Sequence, residues 1–197
     1  MTPQSRPTDH TADHNDSSPD CSPASSPTVL NRETAFHGAI FDIEDVRVRL
    51  HDGRVARRQV VAKADGAITI PITDRGTLIM VLQHRVGLLD NPAYPDCEVY
   101  EFPAGHVDPG ETPAAAAERE LLEETGYTAA RVIPAGSTAT VPSYNTEFGY
   151  RFLCVDAALT QTPAPGQFED VRTAEVTADE VAGFIAGMLR VTVSPEG

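Results

Sequence analysis

Glu120, Glu123 and Glu124 stand at i, i+3 and i+4, a spacing that places three carboxylates on one face of a helix. Like charges this close repel one another unless a cation lies between them. Hard oxygen ligands at this density suit Mg²⁺, with Mn²⁺ as a substitute, and such ions keep waters and bridge to substrate phosphates. The same acids would also make an ordinary solvated helix face, so the residues around them must decide.

The flanks point to a positioned group. Asp108-Pro109-Gly110 reads as a turn, Thr112 as an N-cap, Pro113 as a first helical residue and Gly126 as the left-handed residue that ends the helix. These signals predict a helix over 113–125. Ala114, Ala117 and Leu121 form a neighbouring stripe that can face a sheet, while Glu118 beside it has no role in the pattern. Arg119 is placed to pair with Glu111 and to hold the preceding loop against the helix.

Gly105, Glu111, Arg119, Glu120, Glu123, Glu124 and Gly126 fall at set spacing within positions 105–127, and together they resemble the Nudix signature at every fixed position. Leu121 fills the first aliphatic place, and Tyr127 stands where Ile, Leu or Val is usual. The resemblance implies an α+β fold, the Nudix α/β/α sandwich with a mixed sheet. It implies hydrolysis of nucleoside diphosphates linked to another group. Glu120 and Glu124 become the leading Mg²⁺ ligands, and Glu123 a further ligand or a base. The metal would neutralise developing charge and acidify the attacking water.

The surroundings resemble the ADP-ribose pyrophosphatase branch. Glu101-Phe102-Pro103-Ala104-Gly105 matches its approach to the box, which makes the Ala104 carbonyl a metal ligand by resemblance. Arg57-Arg58-Gln59 and Gln83-His84-Arg85 resemble strand segments whose arginines contact substrate, so Arg58 and Arg85 are substrate-binding candidates, although Gln59 stands where Glu is usual. Pro142 and Glu147 keep the places of a downstream loop that carries the general base, with Ser143 in place of a glycine. Members of the branch commonly form homodimers by exchanging N-terminal strands, and Phe41 lies where a partner's base could stack. The resemblance thus implies conversion of ADP-ribose to AMP and ribose 5-phosphate. Another nucleoside diphosphate sugar, such as GDP-mannose, is the alternative. A non-catalytic nucleotide-sensing module would tend to lose box carboxylates and to carry a nucleic-acid-binding appendage, and neither feature is evident.

The elements that must position these residues can be read from the same pattern. Residues 1–34 are rich in Ser, Thr, Pro and Asp, cannot bury enough apolar surface to offset ordering entropy, and are expected to be a disordered tail in which His10 and His14 are solvated. Residues 35–62 are expected to form an N-terminal antiparallel strand region, with 40–50 and 55–62 joined at His51-Asp52-Gly53, available for dimer exchange. Residues 63–197 would be the catalytic domain. Its strands are expected near 67–72, 78–83, 99–102, 132–141 and 150–155, with a loop over 88–96 and a capped helix over 178–190.

Composition limits the partners. A net charge of −14 over 197 residues repels polymeric nucleic acid and anionic lipid, while a small nucleoside diphosphate stays admissible beside bound cations. Cys21, Cys97 and Cys154 show neither metal-ligand nor disulfide spacing. The N-terminus lacks a basic start followed by an apolar run, and no stretch approaches the ~20 apolar residues of a membrane span, so a cytoplasmic location is expected.

Overall fold

The computed structural model describes residues 26–166 and 170–183. Two sheets are built. Strands β1 (Thr28–His37), β2 (Asp42–Arg49) and β3 (Val55–Ala62) form a three-stranded antiparallel sheet in that order. A mixed seven-stranded sheet follows, from β4 (Gly66–Thr73), β5 (Leu78–His84), β6 (Glu98–Glu101), β7 (Ala104–His106), β8 (Tyr127–Ala139), β9 (Phe148–Leu159) and β10 (Val171–Val176). Its central order is β10-β5-β4-β9-β8, with β6 paired to β5 and β7 to β4. The β4–β9 pairing is parallel, and the helix α1 (Pro113–Thr125) lies within the connection between those strands.

Helix α1 begins and ends where its capping residues dictate. The Thr112 side chain accepts from the Ala115 amide, Pro113 occupies the first turn, and Gly126 takes the left-handed conformation at φ 74°. Its buried stripe of Ala116, Ala117 and Leu121 packs with Ala67 of β4 and with Phe152 and Cys154 of β9. Ala114 and Tyr127 border this cluster, so the aromatic ring at the last box position is used as packing. Ala116 replaces Ala114 as the more deeply buried residue, and Glu118 points to solvent.

The β4 strand alternates fully buried Ala67, Thr69, Pro71 and Thr73 with half-buried neighbours, because both its faces are covered. Thr69 hydrogen-bonds the Pro103 carbonyl through both its amide, at 2.9 Å, and its hydroxyl, at 3.0 Å. This fixes the segment entering β7, and with it the start of the signature.

The expected tail boundary at residue 34 needs correction, because β1 already begins at Thr28. All ten of its residues are exposed. It is held by the backbone ladder to β2 and by the cross-strand Arg32–Glu44 and His37–Asp42 pairs, so no apolar pattern announces it. Residues 1–25 of the expected tail lie outside the described residues. Strands β8 and β9 also exceed their expected lengths. A register shift between Pro134 and Ser137 lets β8 continue past a proline. The expected terminal helix starts on a reciprocal cap, in which the Thr177 hydroxyl accepts from the Glu180 amide while the Glu180 carboxylate accepts from the Thr177 amide. Residues 184–190 of that expectation lie outside the described residues.

Candidate active site

The signature loop is clamped to α1 by one arginine. Arg119 donates Nε to Glu111 Oε1 at 3.1 Å and Nη2 to Glu111 Oε2 at 3.0 Å, a two-pronged pair, and Nη2 also reaches the His106 carbonyl at 2.9 Å. Its Nη1 contacts Glu120 at 2.6 Å and Glu123 at 3.2 Å. The Arg119 hydrogen bond holds the Glu111 carboxyl below its usual range against the opposing effect of burial, and Glu111 in turn raises the arginine. The loop thus arrives at the helix with Glu111 ionised and fixed.

Two carboxylates of α1 then close on β7. The Glu124 side chain is almost fully buried and accepts from the Ala104 amide at 3.0 Å. Glu120 sits over Gly105 so closely that a Cβ there would lie 2.0 Å from its Oε1. A side chain at 105 and a carboxylate at 120 cannot share this space.

Glu120 lines a cavity of about 480 Å³ whose wall also includes Lys63, Arg85, Ala104, Arg119 and Glu147. Glu124 lines a neighbouring cavity of about 310 Å³, and Ala104 and Arg85 border both. Glu123 has a half-exposed side chain and is in neither wall. Among the described residues, no three His, Cys, Asp or Glu side chains gather into a group that would hold a metal ion by themselves.

Glu147 comes from the loop between β8 and β9 and meets the box residues across the cavity. Its Oε1 accepts from Lys63 Nζ at 2.8 Å, and its Oε2 from the Thr140 hydroxyl at 3.1 Å and the Asn145 side-chain Nδ2 at 3.3 Å. Burial acts to raise its pKa, but the Lys63 hydrogen bond and charge, with Thr140 and Asn145, bring it below the usual carboxylate range. Pro142 begins the turn ahead of it, closed by the Asn145 amide on the Val141 carbonyl at 2.9 Å. Ser143 is absent from the residues at positive φ, so this turn does not need a glycine there.

The other expected contacts are dispersed. Arg85 reaches the main cavity wall while its guanidinium forks onto Glu101. Arg58, on β3, hydrogen-bonds the Arg57 carbonyl, and Phe41 lies between β1 and β2; neither lines the cavity of its own chain. Lys63 was not singled out from the sequence. It is a lone lysine after a strand, and its partner lies 84 positions away, so no local spacing could reveal it.

Comparison with known proteins gives a consistent set. The NUDIX domain model matches residues 62–191. The ADP-ribose pyrophosphatase of Bacillus subtilis (strain 168) is 31% identical over 155 residues, 78% of this chain and 80% of that protein. The methanol dehydrogenase activator of Bacillus methanolicus is 30% identical, over 79% of this chain and 81% of that protein. The ADP compounds hydrolase NudE of Escherichia coli (strain K12) is 34% identical over 60% of each chain. A crystal structure of an ADP compounds hydrolase superposes with a TM-score of 0.67 at 23% identity, covering 81% of this chain and 83% of that one, a likeness of fold.

Proposed function

The chain belongs to the NUDIX domain family, and we propose that it hydrolyses ADP-ribose to AMP and ribose 5-phosphate with a divalent cation, Mg²⁺ by preference. The observation that carries this reading is the meeting of Glu120, from the signature, and Ala104, just before it, with Glu147, from a loop more than twenty residues further on, around one cavity. The name of the Bacillus subtilis relative supports the choice of substrate.

The donor set fits a hard cation. Glu120 and Glu124 flank the Ala104 backbone, and residue 105 lacks the Cβ that would fill the space. Two carboxylates beside a backbone carbonyl suit Mg²⁺, which takes one or two carboxylates and completes its sphere with water and substrate phosphates. A bound cation there would neutralise the diphosphate and acidify the attacking water. The protein's own part is orientation and proton transfer. Arg119 holds Glu111 and the end of β7, the strand that carries Ala104, and Arg85 offers a cation toward the substrate's anionic centre. Glu147 takes the proton as a water oxygen attacks one phosphorus and the bond from that phosphorus to the bridging oxygen breaks. Glu147 is preferred to Glu123 as the base because Glu147 lines the cavity.

A homodimer fits the three-stranded sheet, on which β1 is an edge strand carrying exposed Val29 and Phe36. In that assembly Arg58 and Phe41 would serve the partner's cavity. Free thiols at Cys97 and Cys154 suit a reducing cytoplasm, and no helix among the described residues is long and apolar enough to cross a membrane.

Turnover of ADP-ribose, GDP-mannose and other nucleoside diphosphate sugars by purified protein with Mg²⁺ tests the reading. ADP-ribose is expected to give the highest kcat/KM. Equal or greater turnover of a sugar nucleotide without the terminal ribose would overturn the substrate assignment.

A further inference from the structure

Three cations line the main cavity, and they are not equivalent. Arg119 spreads its donors over Glu111, Glu120, Glu123 and the His106 carbonyl, and Arg85 forks onto Glu101. The Lys63 ammonium has three donors and, among the described residues, places one of them, on Glu147 Oε1. Its side chain remains 26% exposed at the cavity wall.

The pairing with Glu147 is built in from the backbone. The Lys63 amide donates to Thr146 Oγ1 at 3.2 Å, and the Thr146 hydroxyl donates back to the Lys63 carbonyl at 3.3 Å. Two residues earlier, the Val61 amide donates to the Tyr144 carbonyl at 2.7 Å, and the Thr146 amide to the Val61 carbonyl at 3.0 Å. The end of β3 and the loop bearing Glu147 are therefore one stapled unit. Within it the two oxygens of Glu147 are held by different groups, Oε1 by Lys63 and Oε2 by Thr140 and Asn145.

We propose that Lys63 is a positioning residue that guards Oε1 of Glu147 until a diphosphate enters, then turns its ammonium to a phosphate oxygen and frees Oε1 to accept the proton of the attacking water. The inference rests on reading the cavity as the diphosphate site. A diphosphate brings more negative charge than a single carboxylate, and charge-assisted hydrogen bonds to it compete strongly for a flexible ammonium. Thr140 and Asn145 keep the carboxylate aimed after Lys63 departs. The other charged or titratable groups around Glu147 are Asp65 in the β3–β4 link, Arg85 after β5, His106 in β7, Asp108 after β7, and Arg119 and Glu120 on α1.

The test is the pH dependence of kcat and kcat/KM for ADP-ribose with Mg²⁺ in wild type, Lys63→Gln and Lys63→Arg. The kcat/KM profile reports the free enzyme and the kcat profile the bound one. In wild type the acid limb of kcat/KM is expected below that of kcat, because Lys63 holds Glu147 ionised only before substrate binds. In Lys63→Gln the kcat/KM limb should move up to meet the kcat limb, with KM raised roughly tenfold as one charge-assisted contact is lost. Lys63→Arg should restore both. Unmoved limbs in Lys63→Gln, or a variant that alters kcat alone, would overturn the proposal.

Should ADP-ribose prove the wrong substrate, the same profiles on whichever nucleoside diphosphate sugar is cleaved still test Lys63. A ¹³C NMR titration of the Glu147 carboxyl, identified by its loss in Glu147→Gln, tests the resting contact without turnover. Its midpoint should rise in Lys63→Gln, and an unchanged midpoint would sink the guarding role. If Lys63→Gln does not fold, Lys63→Arg alone must keep the wild-type gap between the two limbs, and loss of that gap would also overturn the proposal.

Discussion

A Cβ on residue 105 would lie 2.0 Å from Oε1 of Glu120, so the first glycine of the signature and its central glutamate occupy one space between them. The atoms that would have to move are the far end of a flexible side chain. Gly105→Ala is therefore expected to leave the fold nearly intact, with less than about 1 kcal/mol lost, a few degrees in Tm at this size. It should displace Glu120 from Ala104 and lower kcat on the order of a hundredfold, the scale set by ångström misplacement of a catalytic group. Full activity in Gly105→Ala would show that Glu120 does not act from this position.

The last signature glycine makes the opposite prediction. Gly126 sits at φ 74°, and a Cβ there would meet the Gln161 carbonyl oxygen at 2.1 Å, a backbone atom that cannot swing away. Gly126→Ala should cost about 1–3 kcal/mol through left-handed strain and the clash. Activity per folded molecule should survive, because the carboxylates lie on preceding turns. Melting temperature and active-site titre, measured on the same preparation, separate the two glycines.

The metal assignment predicts a distinct loss. Glu124→Gln can still accept from the Ala104 amide through its side-chain oxygen, so packing is preserved, but the negative charge is gone. Turnover at fixed Mg²⁺ should fall on the order of a hundredfold or more, at least the cost typical of disturbing a metal site's supporting shell. Excess Mg²⁺ should recover part of it. Unchanged turnover would remove Glu124 from the set of ligands.

Glu111 supplies a pH signature. Arg119 lowers its folded-state pKa below the unfolded value of ~4.3, so its contribution to stability is present above that value and is lost as pH falls through the folded one. Glu111→Gln should lower the urea midpoint at pH 7, and the gap to wild type should narrow on acidification. A gap that is constant from pH 7 to pH 3 would mean that the clamp works by shape alone.

These predictions divide along the same line as legibility in the sequence. The extent of α1 could be read because Thr112, Pro113 and Gly126 act on their own neighbours. The Glu111–Arg119 clamp could be read because both partners lie in one loop and helix. Lys63 could not, since a lysine after a strand carries no mark of a glutamate 84 positions on. Strand β1 could not, because cross-strand charge pairs and backbone ladders leave no hydrophobic period to detect. The resemblance makes Arg58 and Phe41 site residues, yet the single chain keeps Arg58 on the separate sheet and Phe41 in the β1–β2 connection, away from the cavity wall.

That separation motivates the final prediction. The main cavity draws its wall from residues between Lys63 and Gly149, whereas β1 contributes none of it. Every β1 residue is exposed, and Val29, Phe36 and the nearby Ile40 are 53%, 58% and 64% exposed, apolar surface of the kind an interface covers. If the sheet is where two copies join, removing residues 1–25 should preserve the dimer and the KM for ADP-ribose. Removing residues 1–37 should give a monomer with raised KM and a largely retained kcat, because Glu120, Glu124 and Glu147 stay in place. Light scattering after size exclusion, with kinetics on the same fractions, makes the comparison. A full-length chain that is monomeric at micromolar concentration would refute the dimer. Equal KM in the two truncations would show that β1 supplies nothing to substrate binding.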